Sequence, residues 1–285
     1  TGYSFDLTPT GQGVVTVDIA AGVATDAAGN SNTVATQLTR TYDSVQPSVI
    51  ISSLAPVTTK TSPIPISVTF NESVSGFVVG DLTLGNGTAS NFAGSGTTYT
   101  FDLTPSGQGA VTVNIAAGVA SDVAGNLNTV ATQLTRTYDT VAPNVSISST
   151  APAITNISPI PVTVTFNEAV SGFAVSDLTL SNAAASNFSG TGTTYTFDLT
   201  PSGQGTVTVD IAAGVAGDAA GNLNTVATQL SRIYNNISPA VVISSAATAT
   251  TPTSPIPITV TFSAAVTGFV VGDLTLSNGT ASGFA

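Results

Sequence analysis

Along residues 98–103, Tyr99, Phe101 and Leu103 alternate with Thr100 and Asp102. Val111, Val113 and Ile115 alternate in the same way with Thr112 and Asn114. A period of two gathers every apolar side chain of such a run on one face of a strand. Further runs of strand character cover Val49–Ser53, Ile66–Phe70, Phe77–Leu84, Thr88–Phe92 and Thr129–Tyr138. Clusters of Gly, Asn, Asp and Pro separate them, and these residues turn a chain. Pro63 and Pro65 stand before the second run and guard its entry, since proline cannot donate to a ladder. Seven short strands, each with one apolar face, predict a sandwich of two packed sheets.

The pattern recurs with a fixed period. Tyr42, Tyr138 and Tyr234 lie 96 residues apart, as do Phe70, Phe166 and Phe262, and Asp26, Asp122 and Asp218. The tetrapeptide Ser-Pro-Ile-Pro begins at Ser62, Ser158 and Ser254, and no insertion breaks the register. The unit has the size of an Ig-like domain. The predicted fold class is all-β, a tandem array of Ig-like β-sandwich domains. Thr1 corresponds to Thr97 and Ala285 to Ala93, so the chain is expected to begin and end inside a domain. The expected division is a C-terminal half-domain (1–44), complete domains at 45–140 and 141–236, and an N-terminal half-domain (237–285). A half of this size leaves open edges and an uncovered face. Two arrangements follow: a window on a longer array, or a subunit whose halves are completed end to end by other copies of itself. The linkers Tyr42–Pro47 and Tyr138–Pro143 are short and end in proline, which predicts semi-rigid joints.

Composition removes several classes of function. Fifteen acidic residues face four basic ones, giving a formal net charge of −11. One lysine, Lys60, and three arginines, Arg40, Arg136 and Arg232, cannot neutralise a phosphate backbone, so nucleic acid is not an expected partner. Membrane insertion is not expected either, because no apolar run approaches the length of a span. Cysteine and histidine are absent, which removes thiol nucleophiles and the commonest general base. A carboxylate repeated every domain points to architecture rather than to one cleft, so the chain is not expected to be an enzyme.

Several motifs carry a family resemblance. They are Val-Thr-Phe-Asn-Glu-x-Val-x-Gly-Phe at 68–77, Asp-Leu-Thr-Leu at 81–84, Asp-x-Ala-Gly-Asn at 122–126 and Tyr-Asp-Thr-Val-Ala-Pro at 138–143. Together they resemble the bacterial Ig-like repeats of large extracellular adhesins, over the whole chain. The resemblance implies an extracellular, cell-surface stalk or fibre segment, often stiffened by calcium. Such arrays also serve as spacers in secreted multidomain enzymes. It names no adhesive ligand.

Calcium takes several oxygen ligands, mostly carboxylates and carbonyls. Each joint brings acids together in the sequence. The expected ligands at the first are Asp26, linker Asp43 and Glu72; at the second, Asp122, Asp139 and Glu168, with Asn30 and Asn126 as further oxygen donors. At the third, the linker acid becomes Asn235 and the glutamate position Ala264, while Asp218 remains, which suggests a local role for that residue. The competing reading is structural: aspartates that form turns, or that pair with Arg40 or Arg136. Asp81, Asp177 and Asp273 are read as hydrogen-bonding groups at strand starts, and Tyr99 and Tyr195 as core. Asn-x-Ser/Thr sequons occur at Asn71, Asn86, Asn144, Asn156, Asn187, Asn236 and Asn278.

Overall fold

A computed structural model describes all 285 residues. It contains no α-helix; besides strands there are three single-turn 3₁₀ segments, at Val79–Asp81, Val175–Asp177 and Val271–Asp273. The first complete domain has a three-element sheet in the order Val49–Ser52, Ile64–Val74, Gly87–Pro105. The opposing sheet runs Thr58–Thr59, Leu134–Tyr138, Gly109–Ile115, Leu82–Gly85. The second domain repeats this order with Val145–Ser148, Ile160–Val170 and Ala183–Pro201 in one sheet. Its other sheet holds Ile154–Thr155, Leu230–Tyr234, Gly205–Ile211 and Leu178–Ser181.

The alternating positions pack as their spacing requires. Ile64, Ile66, Val68 and Phe70 from one sheet and Val111, Val113 and Ile115 from the other are buried in a single core. Register aligns Ile64 with Leu103, Ile66 with Phe101 and Val68 with Tyr99, so three apolar pairs stack across the ladder. At one end of this core Phe77 meets Phe70 and Tyr99 edge-on, with ring centroids 5.4 and 5.0 Å apart. The Tyr99 hydroxyl donates to the Val74 carbonyl, so the buried ring keeps its polar end satisfied. The second domain builds an equivalent core around Phe166, Phe173 and Tyr195, and the two cores share no residue.

Four strand expectations change. The segment expected as one strand over Phe77–Leu84 is split by the 3₁₀ turn, and its strand is Leu82–Gly85. Asp81 accepts the Val78 N–H at 2.8 Å and closes that turn; Asp177 and Asp273 do the same for Ala174 and Val270. Thr129–Tyr138 contributes only Leu134–Tyr138 to the ladder, because Asn128 holds the preceding loop by side-chain hydrogen bonds instead. A two-residue strand at Thr58–Thr59 pairs in parallel with Thr137–Tyr138; it is too short for periodicity to reveal. Pro65 lies inside the second strand rather than before it, paired with Asp102 and exposed, where no strand on its other side needs its missing N–H.

The runs expected at Thr88–Phe92 and Thr98–Leu103 join in one element, Gly87–Pro105, that doubles back on itself. Ser106 N–H donates to the Asn86 carbonyl, and Asn91 Nδ2 to Asp102 Oδ2. At the bend Gly94 has φ +126°, and a Cβ there would lie 2.3 Å from the Thr98 carbonyl oxygen. Only glycine fits such a close approach.

The two ends are half-built. Gly13–Val17 pairs with Leu38–Tyr42, and Val241–Ser244 with Thr259–Phe262, each as a two-stranded sheet without an opposing layer.

Because each core is closed within its own domain, damage should stay local. Phe70→Ala is expected to destabilise the first domain by about 3–5 kcal/mol, the usual cost of emptying a buried aromatic site. Calorimetry should then resolve a lowered transition beside one near the original temperature; a single transition shifted as a whole would show the domains to be one cooperative unit.

Candidate metal centres at the domain joints

The first two linkers are each bonded to the domains on both sides, and the third to the domain before it. At the second joint Asp139 N–H donates to the Thr59 carbonyl, and Thr140 N–H to Gln108 Oε1, both in the preceding domain. The following domain answers through Asn222, whose Nδ2 donates to the Asp139 carbonyl at 3.0 Å, and through Thr225 N–H to the Pro143 carbonyl. Lys60 of the preceding domain reaches the Gly221 carbonyl in the Asp-Ala-Ala-Gly-Asn loop of the next. The first joint repeats the scheme with Gln12 and Ser44, Asn126 and Asp43, and Thr129 and Pro47. The third keeps Gln204 with Asn236 and Asn235 N–H with the Thr155 carbonyl.

Two acidic clusters form at these joints. Asp43, Glu72 and Asp122 each offer a carboxylate oxygen within 4.8 Å of the others, and so do Asp139, Glu168 and Asp218. The linker acid starts a turn, with Asp43 Oδ1 accepting Val45 N–H and Asp139 Oδ1 accepting Val141 N–H. The glutamate comes from the second strand, where the ladder slips between Thr69 and Val74 and between Thr165 and Val170. The third acid lies in the Asp-x-Ala-Gly-Asn loop. Asp122 and Asp218 are buried, and each takes hydrogen bonds from the backbone and Nδ2 of the loop asparagine, Asn126 or Asn222.

The grouping differs from that expected of the sequence. Asp26 is not brought to Asp43 and Glu72; it holds its own loop in the N-terminal half-domain through Ala28 and Asn30. Asp122 takes that place, and Asp218 takes the corresponding place with Asp139 and Glu168. The Asp-x-Ala-Gly-Asn loop returns to the end of its own domain at which the chain entered, so each cluster takes its loop acid from the domain after the linker. Asp218 thus bonds its own loop and also stands beside Asp139 and Glu168, a grouping that its exact repeat spacing from Asp122 signals. The side-chain amides of Asn126 and Asn222 donate to carboxylate and linker carbonyl.

The arginines do not pair with the linker acids. Arg136 donates to the carbonyls of Ala55 and Ser53, Arg232 to those of Ala151 and Ser149, and Arg40 to that of Thr39. Each cluster therefore carries uncompensated negative charge. Burial, and then repulsion from Asp43 and Asp122, hold the Glu72 carboxyl above its ordinary pKa. Glu168 is raised by burial and then by Asp218 and Asp139. Burial also pushes Asp122 upward, but hydrogen bonds from Asn126, Gly125 and Ala124 outweigh it and leave that carboxyl below the usual value. Three carboxylates with nearby carbonyl oxygens form a hard, oxygen-only donor set of the kind that takes a divalent cation such as Ca2+.

A family model described as bacterial Ig-like domain matches residues 43–138, 139–234 and 235–285. The chain belongs to the bacterial Ig-like domain family. Its repeats, in the family's division, start at the linker residue Asp43, Asp139 or Asn235, in keeping with the bonds that tie the first two linkers to the domain after them. No curated protein matches. Among solved structures, the Yersinia pseudotuberculosis adhesin InvE is 16% identical over 68% of this chain and 60% of its own, with a TM-score of 0.26. Invasin, titled a bacterial integrin-binding protein, is 13% identical over 82% of this chain and 54% of its own, with a TM-score of 0.39. The chain thus spans a little over half the length of these solved chains.

A raised carboxyl pKa in the fold means that the fold favours the protonated form. The stability it contributes is full below the ordinary glutamate range and is lost as pH rises through the folded-state value, so at neutral pH each charged cluster is a load. In buffer free of divalent ions, Glu72→Gln combined with Glu168→Gln should raise the melting temperature at pH 7. The advantage should disappear below about pH 4, where glutamate is neutral in either state. A variant that melts lower than the parent at pH 7 in such buffer would show that the glutamates are not under repulsive strain.

Proposed function

We propose that this Ig-like array is a structural stalk segment of an extracellular, cell-surface adhesin, not an enzyme, and that Ca2+ at its joints stiffens it. The observation that carries the reading is the bonding of the first two linkers to both of their neighbours. Backbone and side-chain hydrogen bonds fix the residues between domains, in the same register at each joint. A chain of separately closed domains with uniform, tied joints transmits force and keeps its two ends apart. Membership of the bacterial Ig-like family and an acidic surface without cysteine accord with an exterior location.

Calcium fits the same role. Each cluster draws one acid from the linker and two from the following domain, so an ion there ties the linker down and cancels the repulsion that raises the glutamates. Asn235 and Ala264 take both acids from the third joint, which predicts a softer hinge at that point.

Two measurements test the reading. Antibodies against residues 43–234 should label intact producing cells; labelling only after permeabilisation would rule out a surface stalk. Calcium should raise the melting temperature of the parent and chelator should lower it, while the paired glutamate-to-glutamine variant responds to neither. A site held at a hundredfold excess of ion over its Kd adds about 2.7 kcal/mol. A parent whose melt is the same in calcium and in chelator has no such site.

A further inference from the structure

The hydrogen bonds that tie the second joint run, with one exception, through the linker itself. The Thr59 carbonyl accepts Asp139 N–H from the preceding domain. From the following domain, Asn222 and Thr225 donate to the Asp139 and Pro143 carbonyls. The exception is Lys60. Its Nζ donates to the Gly221 carbonyl, the one hydrogen bond that passes directly between the two complete domains.

Both ends of this bond stand on fixed segments. Lys60 follows Thr59, which is buried, pairs with Tyr138 in the parallel ladder and accepts Thr61 N–H on its hydroxyl. Gly221 turns the Asp218–Asn222 loop with φ +83°. Asp218 closes that loop by accepting the N–H groups of Ala220, Gly221 and Asn222. Thr59 and Lys60, Asp139, and Gly221 and Asn222 therefore form a closed ring of contacts, from domain to linker to domain and back. A linker held at one place is a pivot about which two bodies can still turn. A second bond beside the pivot takes that freedom away.

We propose that Lys60 is a latch on the second joint, its ammonium holding the two complete domains at one fixed angle. The frame around it repeats: Thr59 recurs as Thr155 and Thr251, and Ser62 as Ser158 and Ser254. Lys60 itself is replaced by Asn156 and Pro252, neither of which carries a cation. One position on a shared frame thus sets stiffness, without any change to fold or linker. The latch is independent of any ion at the joint, since neither of its two residues belongs to a carboxylate cluster.

The chain has no cysteine, so spin labels go only where one is introduced. Thr100→Cys and Thr196→Cys place one label on each complete domain at equivalent exposed positions. Pulsed dipolar spectroscopy then reads the distribution of distances between them. The labelled parent is compared with Lys60→Met, which keeps a long unbranched side chain but has no N–H, and with Lys60→Asn, which installs the residue of the next repeat. All are measured in chelator, so no ion at Asp139, Glu168 and Asp218 contributes. The parent should give one narrow distribution. Both variants should broaden it, the population outside the narrow peak rising about fivefold, the factor carried by one net hydrogen bond. The melting of the two domains should not move, because Lys60 is exposed and lies in neither core. A Lys60→Met distribution as narrow as the parent's, a parent distribution as broad as the variants', or a variant whose domains melt lower would each overturn the proposal.

Discussion

A sheet with one apolar face must bury that face, and in each complete domain of this chain each sheet is covered by the other sheet of its own repeat. The rest of the architecture depends on this. Ile64, Ile66, Val68 and Phe70 are buried only because Val111, Val113 and Ile115 lie opposite them. Identical patterning in the next repeat builds a second, separate core rather than extending the first. Adjacent domains meet through linkers, carbonyls and amides, not through a shared apolar interface. Their relative placement therefore rests on polar contacts of modest individual strength, a hydrogen bond being worth about 1 kcal/mol net. Several act together at each joint.

The same constraint separates what could be read in the sequence from what could not. Strands such as Thr98–Leu103 and Val111–Ile115 carry a period-two signal, because their faces are set by burial, and the structure places them accordingly. Thr58–Thr59 has no room for periodicity, and its two residues are held by backbone pairing to Tyr138 and its neighbour. The loop before Leu134 reads as strand because Val130 and Ala131 are β-compatible. Asn128 overrides that preference with four hydrogen bonds from a fully buried amide. A polar residue that organises a loop leaves no mark in a hydrophobic pattern.

The acidic clusters were legible in kind and misassigned in partnership. Linker Asp43 and strand Glu72 are correctly placed at one joint by sequence alone, since both lie next to the boundary. Their third member lies 50 residues beyond Glu72, in a loop that returns to the same end of the domain, and linear proximity favoured Asp26 instead. Chain topology decides which loop acid arrives. It does so identically in both complete domains, which is why Asp122 and Asp218 occupy equivalent positions.

The third joint separates the geometry of the joint from its charge. Asn235 Oδ1 accepts the Ile237 N–H just as Asp43 and Asp139 accept theirs, and Asn235 N–H still reaches the Thr155 carbonyl. The turn therefore needs a side-chain oxygen at that position and not a negative charge. An acid that served only the turn would be exchangeable with asparagine at every joint, at no cost in folding. Keeping a linker carboxylate and a loop carboxylate beside a glutamate is electrostatically unfavourable, as the raised pKa of Glu72 and Glu168 reflects. The position that gives up the linker acid is also the one where the glutamate has become Ala264. Turn and charge are thus independent properties of the same residue: the turn persists with Asn235, and repulsion on a neighbouring glutamate arises where the linker residue is an acid.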